Sequence, residues 1–197
     1  RRAPGAPPPG GRRRMLPGPW SPAGAFLIAL VFLVAVGDRG VRALLETPRA
    51  TANINEQQIQ VALFLREHYT GSTIALNDIG AANFLADIVC VDLYGLASHE
   101  VLKALRQGTY GVKTLERITR EKGARVAVLY PNWIRTPSSW TRVGHWSIAD
   151  NVVNGGDTVA FFALDAEERS TLTRNLKLHS SKLPPGVDEG GLYAELP

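Results

Sequence analysis

The chain has 197 residues, 45% hydrophobic and 20% charged, which suits one domain with a real core plus appendages and excludes a wholly disordered protein. Its formal charge of +4 sits at one end: Arg1, Arg2, Arg12, Arg13 and Arg14 are five of 22 basic residues, and the other 17 face 18 acidic ones. A near-neutral body lacks the basic, aromatic-laced patch of a nucleic-acid binder, so no nucleic acid is expected as a partner.

In chain order, residues 1–17 combine Pro, Gly, Ala and Arg and predict a disordered basic cytoplasmic segment. No side chain is charged from Met15 to Gly37, and AFLIALVFLVAV (Ala25 to Val36) is wholly apolar. This predicts a transmembrane helix over 18–37, with Trp20 as an interfacial anchor and the lipid bilayer as a partner. The arginine cluster holds the front in the cytoplasm and sends the rest to the extracytoplasmic, periplasmic side of the cell membrane. A signal peptide with a small-x-small site at Ala35-Val36-Gly37 is the competing reading. It is disfavoured because the chain begins with arginine, and Met15 would start the protein after its own positive region. A start at Arg1 implies the tail of something longer.

A linker is expected over 38–52, a folded domain over 53–180 and a flexible tail over 181–197. Ile54, Val61, Ala62, Leu65 and Tyr69 recur at helical spacing, with Glu56, Gln57, Arg66 and Glu67 elsewhere around the helix. STIALND reads as a strand, IGAANFLAD as a short helix or turn, and IVCVDLYG as a second strand buried on both faces. SHEVLKALRQG is a helix capped by Ser98 and stopped at Gly108, and KTLERITREKG one capped by Thr114 and stopped at Gly123. ARVAVLY, TRVGHWSIAD and DTVAFFALD are strands, the last two joined as a hairpin through NVVNGG, and AEERSTLTRNLKLH closes as a helix. The fold class is therefore α/β: a small mixed sheet flanked by helices, preceded by one transmembrane helix.

Most catalytic signatures are missing. No glycine-rich phosphate loop occurs, no serine lies in a G-x-S-x-G context, and His68, His99, His145 and His179 show no metal-ligand spacing, so no cofactor and no metal is expected. Cys90, the only cysteine, reads as a buried small hydrophobe. Asn77, Asp78 and Asp92 lie at the carboxyl ends of two strands, where α/β sheets bind ligands. The two carboxylates could serve as acid and base or hold a sugar hydroxyl; equally, Asp78 could cap a helix and Asp92 tie down a turn. Trp133 and Trp140, in YPNWIRTPSSW, could stack on a sugar face or cover the sheet end. As ligand-binding candidates these give Asn77, Asp78, Asp92 and Trp133, with Asp78 and Asp92 as the only catalytic candidates.

Three motifs come in a recognisable order: Glu56-Gln57-Gln58, Asn77-Asp78-Ile79-Gly80-Ala81 and Asp92-Leu93-Tyr94-Gly95-Leu96. With ARVAVLYPNW and NVVNGGDTVAFFAL behind them, residues 50–165 resemble the segment after the last membrane helix of bacterial polytopic GT-C type glycosyltransferases, related to the protein mannosyltransferases. That resemblance implies a C-terminal extracytoplasmic module assisting transfer from a polyprenyl-phosphate sugar to an envelope glycan or protein acceptor. The family's catalytic acids belong to an early extracytoplasmic loop that this chain lacks, so that role does not carry over to Asp78 or Asp92. The alternative is a non-catalytic, single-pass anchored domain that binds a glycan or protein of the envelope.

Overall fold

The computed structural model describes residues 21–195, so the disordered basic segment over 1–17 and the anchor Trp20 lie outside the described residues. The chain divides into two compact units, Arg1–Leu45 and Glu46–Pro197. Helix α1, Pro22–Asn53, opens with proline at its first position, and the Ser21 hydroxyl accepts from the Gly24 N–H at 3.0 Å. Its apolar side chains are outside any core: Phe26 and Leu33 are each 70% exposed. In length and composition the helical run suits a membrane span.

The linker expected over 38–52 is instead helical. Only Gly40 and Pro48 disfavour a helix there, and an Asp38–Arg42 pair at 3.0 Å supports it at i,i+4 spacing. A π-helical turn, Ile54–Ile59, then leads into α2, Gln60–His68. Such wide turns are uncommon inside α-helices and cluster at functional places. Here the turn buries Gln57, which sequence periodicity had put outside the apolar stripe.

The second unit holds a six-stranded mixed sheet. Strands β1 (Thr73–Leu76), β2 (Val89–Asp92), β3 (Val126–Leu129), β4 (Thr141–Ile148), β5 (Thr158–Ala163) and β6 (Val187–Gly191) take the order β2-β1-β3-β5-β4-β6. The β1 pairings to β2 and β3 are parallel, and the other three pairings antiparallel. Period-two alternation sorts the side chains into two cores. Ile74, Leu76, Val126, Val128, Val159 and Phe161 meet Phe64 and Leu65 of α2 on one face. Ala75, Ala127, Leu129, Ala160 and Phe162 meet Leu115 and Ile118 on the other.

Helices α3 (Gly80–Leu85), α4 (His99–Arg106), α5 (Val112–Glu121) and α6 (Ala166–Ser180) complete the layers. Ser98 caps α4 as expected, accepting from the Val101 N–H at 3.3 Å. Helix α5 begins earlier than expected: Gly111 is its cap, and Thr114 instead donates its hydroxyl to the Thr109 carbonyl at 2.7 Å.

Two readings need correction. Strand β2 is not buried on both faces; it is an edge strand, with Val89 exposed and Cys90 half-buried. Of the tail expected to be flexible over 181–197, the part described is not loose, since 187–191 form β6 and Tyr193 beyond them is fully buried. The Tyr193 hydroxyl accepts from Trp146 Nε1 and donates to Glu189, both at 2.8 Å. VDEGG carries almost no β-propensity, so its strand is imposed by pairing with β4 rather than by local sequence.

Candidate functional site

Because β1, β2 and β3 are parallel, their carboxyl ends lie side by side, with Leu76 in register with Asp92 and Val128. Asn77, Asp78, Tyr94, Tyr130 and Trp133 follow those ends, at the rim where open α/β sheets offer ligand crevices.

Asn77 is buried and extends the sheet by one rung. Its Oδ1 accepts from the Tyr130 N–H at 3.1 Å, and its Nδ2 donates to the Tyr130 carbonyl at 3.3 Å. Asp92, 4% exposed, organises the turn after β2. Its Oδ1 accepts from the N–H groups of Tyr94 (2.8 Å) and Gly95 (3.0 Å), its Oδ2 from those of Ala97 (2.6 Å) and Ser98 (3.0 Å). A carboxylate has about four acceptor positions, and all are taken here, which leaves none to receive a substrate proton. The same turn requires Gly95, whose φ is +90° and whose added Cβ would stand 3.2 Å from the Leu102 nitrogen.

Asp78 behaves differently. It does not cap α3; Ile79 occupies that position without a side-chain bond. Its Oδ2 accepts from Gln58 Nε2 at 2.8 Å and lies 3.5 Å from the Tyr130 hydroxyl. That hydroxyl donates at 2.9 Å to Oε1 of Gln57, itself 1% exposed. Burial, with Asp78 alongside, pushes the Tyr130 phenol well above the ordinary tyrosine range, so it stays protonated. Gln57, Gln58, Asn77, Asp78 and Tyr130 border a cavity of about 20 Å³, room for one water molecule and not for a sugar. Asp92 borders a different hollow, with Asn83, Cys90 and His99. The structure thus puts the two acidic strand ends to separate uses.

The exposed feature of this rim is aromatic. Tyr130, Trp133 and Tyr94 form a run of rings from core to surface, with centroid separations of 5.3 Å and 4.8 Å. Trp133 is 40% exposed and Tyr94 46% exposed. Trp133 Nε1 donates to the Gly155 carbonyl at 2.7 Å. A Cβ on Gly155 would come within 2.2 Å of the Trp133 ring, so the first glycine of NVVNGG is fixed by close approach. Trp140 does cover the sheet, packing on Phe162 at 6.3 Å.

The residues that hold this rim were not legible as such in the sequence. Arg49, Asn53 and Gln57, four apart along the helical run, grip the loop between β4 and β5. Arg49 donates to the Ala149 carbonyl and, at 3.2 Å, to that of Asp150. Asn53 Oδ1 accepts from the Val152 N–H at 3.0 Å, and Asn154 Nδ2 donates to the Asn53 carbonyl at 2.8 Å. Gln57 Nε2 donates to the carbonyls of Gly156 (3.2 Å) and Asp157 (3.1 Å). The available signal was a polar row at i,i+4 spacing beside an apolar one. His68 and His179, 111 positions apart and unrelated by spacing, also meet, with ring centroids 5.8 Å apart.

No curated protein and no solved structure matched the chain in comparison. A family model described as "Domain of unknown function (DUF8728)" matches residues 52–162. That span begins just before Asn53, leaves out Arg49, stops within β5, and includes Asp78, Asp92, Tyr94 and Trp133. Covering more than half of the chain, it makes this protein a member of the DUF8728 family.

Proposed function

We propose that the chain is a membrane-anchored, extracytoplasmic module that recognises the sugar of a polyprenyl-phosphate donor or an envelope glycan, and assists a glycosyltransferase without itself doing the chemistry. The observation that carries this reading is the exposed Tyr94–Trp133 pair beyond the carboxyl ends of parallel strands, with Asp78 on the same rim. Flat rings beside a carboxylate suit a pyranose, whose apolar face stacks while its hydroxyls donate hydrogen bonds. The saturated Asp92 carboxylate and the water-sized cavity at Asp78 argue for recognition over catalysis. The motif order around Glu56, Asp78 and Asp92 supports the glycosyltransferase setting, the apolar helix supports the anchor, and the arginine cluster before it supports the orientation.

The test uses the full chain in lipid vesicles carrying polyprenyl-phosphate mannose or unglycosylated polyprenyl phosphate. The mannosylated lipid is expected to bind, and Tyr94→Ala to weaken it about three- to tenfold, as befits one aromatic contact. Trp133→Ala should weaken it as well. Equal binding of the bare carrier, or no effect of either substitution, would refute sugar recognition at this rim.

A further inference from the structure

We propose that Glu67, His68 and His179 form a binding site for a divalent transition-metal ion, zinc being the best fit. Glu67 and His68 end α2 and His179 lies at the end of α6, so two helices packed on the same sheet face deliver the three ligands. One ligand atom from each lies within 4.8 Å of the others. His179 Nδ1 stands 3.4 Å from Glu67 Oε2, and His68 Nε2 stands 3.8 Å from Glu67 Oε1. Bonds of about 2.0–2.1 Å at tetrahedral angles put neighbouring ligand atoms roughly 3.4 Å apart, so the three atoms, now within 4.8 Å of one another, must draw together by up to about 1.4 Å on binding.

A second observation points to a ligand independently of proximity. His179 is 2% exposed, yet its Nδ1 has only the long 3.4 Å contact with Glu67 and its Nε2 no hydrogen-bond partner, and His68 Nε2 is likewise buried without a hydrogen bond. Buried imidazole nitrogens without partners are costly, and most such groups in native proteins are satisfied. A cation beside Glu67 would satisfy one nitrogen of each ring. Burial holds both imidazoles below the ordinary histidine range. Phe64 and Trp146 wall the His179 ring, with Trp146 stacked at 5.8 Å and 19°. Two histidines and one carboxylate leave a fourth position for water, on the side where Glu67 meets solvent.

Lys182 is the competitor. Its ammonium pairs with Glu67 Oε1, and its side chain is half exposed, free to swing into solvent when a cation arrives. Removing the lysine should therefore improve metal binding, an outcome that a purely structural Glu67–Lys182 bridge would not give.

The experiment titrates chelator-treated full-length chain in detergent with zinc chloride by calorimetry, with cobalt as a spectroscopic stand-in. One equivalent should bind, and cobalt should show the strong visible bands of a tetrahedral site. Lys182→Ala should tighten binding about tenfold, within the range typical of groups next to metal ligands. Glu67→Gln and His179→Asn should each abolish the stoichiometric site. Glu67 is partly exposed, so Glu67→Gln keeps the test sound even where His179→Asn unfolds the core. No saturable binding at the protein's own concentration, binding unchanged in Glu67→Gln, or weaker binding in Lys182→Ala would overturn the assignment.

Discussion

Two aspartates at neighbouring strand ends carry opposite consequences for substitution. Asp92 accepts four backbone N–H groups while nearly buried, so Asp92→Asn presents an amide N–H₂ to donors that need an acceptor. The expected cost is about 2–3 kcal/mol, the range for hydrogen bonds to a charged group left unmade. Asp78→Asn keeps an acceptor for Gln58 on a half-buried side chain, and should cost less than about 1 kcal/mol. Urea melts followed by tryptophan fluorescence separate the two, and equal losses would show that Asp92 is not the turn's organiser. From sequence, both residues read alike as acidic strand ends. Only the path of the chain after each distinguishes them: LYGLAS curls back over its own aspartate, whereas Asp78 faces a glutamine from twenty residues upstream.

At the scale of elements, the junction of β3, β5 and α6 depends on one charged cluster. Arg125 forks onto Asp165, with Nε to Oδ2 at 2.8 Å and Nη2 to Oδ1 at 3.0 Å, while Asp165 also caps α6 by accepting from the Glu168 N–H at 2.8 Å. The guanidinium holds the Asp165 carboxyl down at about 2, below its ordinary value of 3.8. A carboxyl with a lowered folded-state pKa stabilises the fold above pH 3.8, and this contribution fades as the pH falls towards 2. Asp165→Asn preserves the cap but not the charge, so its melting temperature should fall less than that of the parent between pH 4 and pH 2. Parallel profiles would exclude the ion pair as a source of acid sensitivity.

The elements also differ in how plainly they are written. Strands β3 and β5 were legible because β-branched and aromatic residues fill both faces over short runs bounded by glycine, proline and acids. Strand β2 shared that composition but lies at an edge, with no strand among the described residues pairing beyond it. Strand β6 and the Arg49–Asn53–Gln57 grip were illegible for a common reason. Their structure is set by partners about forty to a hundred residues away, Gly144 to Ile148 for β6 and the 149–157 loop for the grip, and not by local pattern.

For the whole molecule, the exposed apolar helix and the sheet domain ask for different surroundings. Exposed Leu, Val and Phe from Phe26 to Val36 form a surface that water does not favour, whereas the second unit has two closed cores. Placing Arg at both Val31 and Val34 adds about 2.5–3.5 kcal/mol per site to membrane insertion. Membrane fractions washed with alkaline carbonate should retain the parent chain and release this double variant. Retention of both would mean that the apolar helix is not the anchor.

Because Trp146 is fully buried and stacked on His179, the indole is also an optical gauge of that ring. An imidazole that gives its lone pair to a cation becomes electron-poor, and an electron-poor ring in parallel contact drains the excited state of its neighbour. The other described indoles, Trp133 at the sheet rim and Trp140 against Phe162, do not touch that ring. Blue-shifted, core-type emission that dims while the redder surface signal holds steady would therefore locate an event at the ends of α2 and α6, with no label attached.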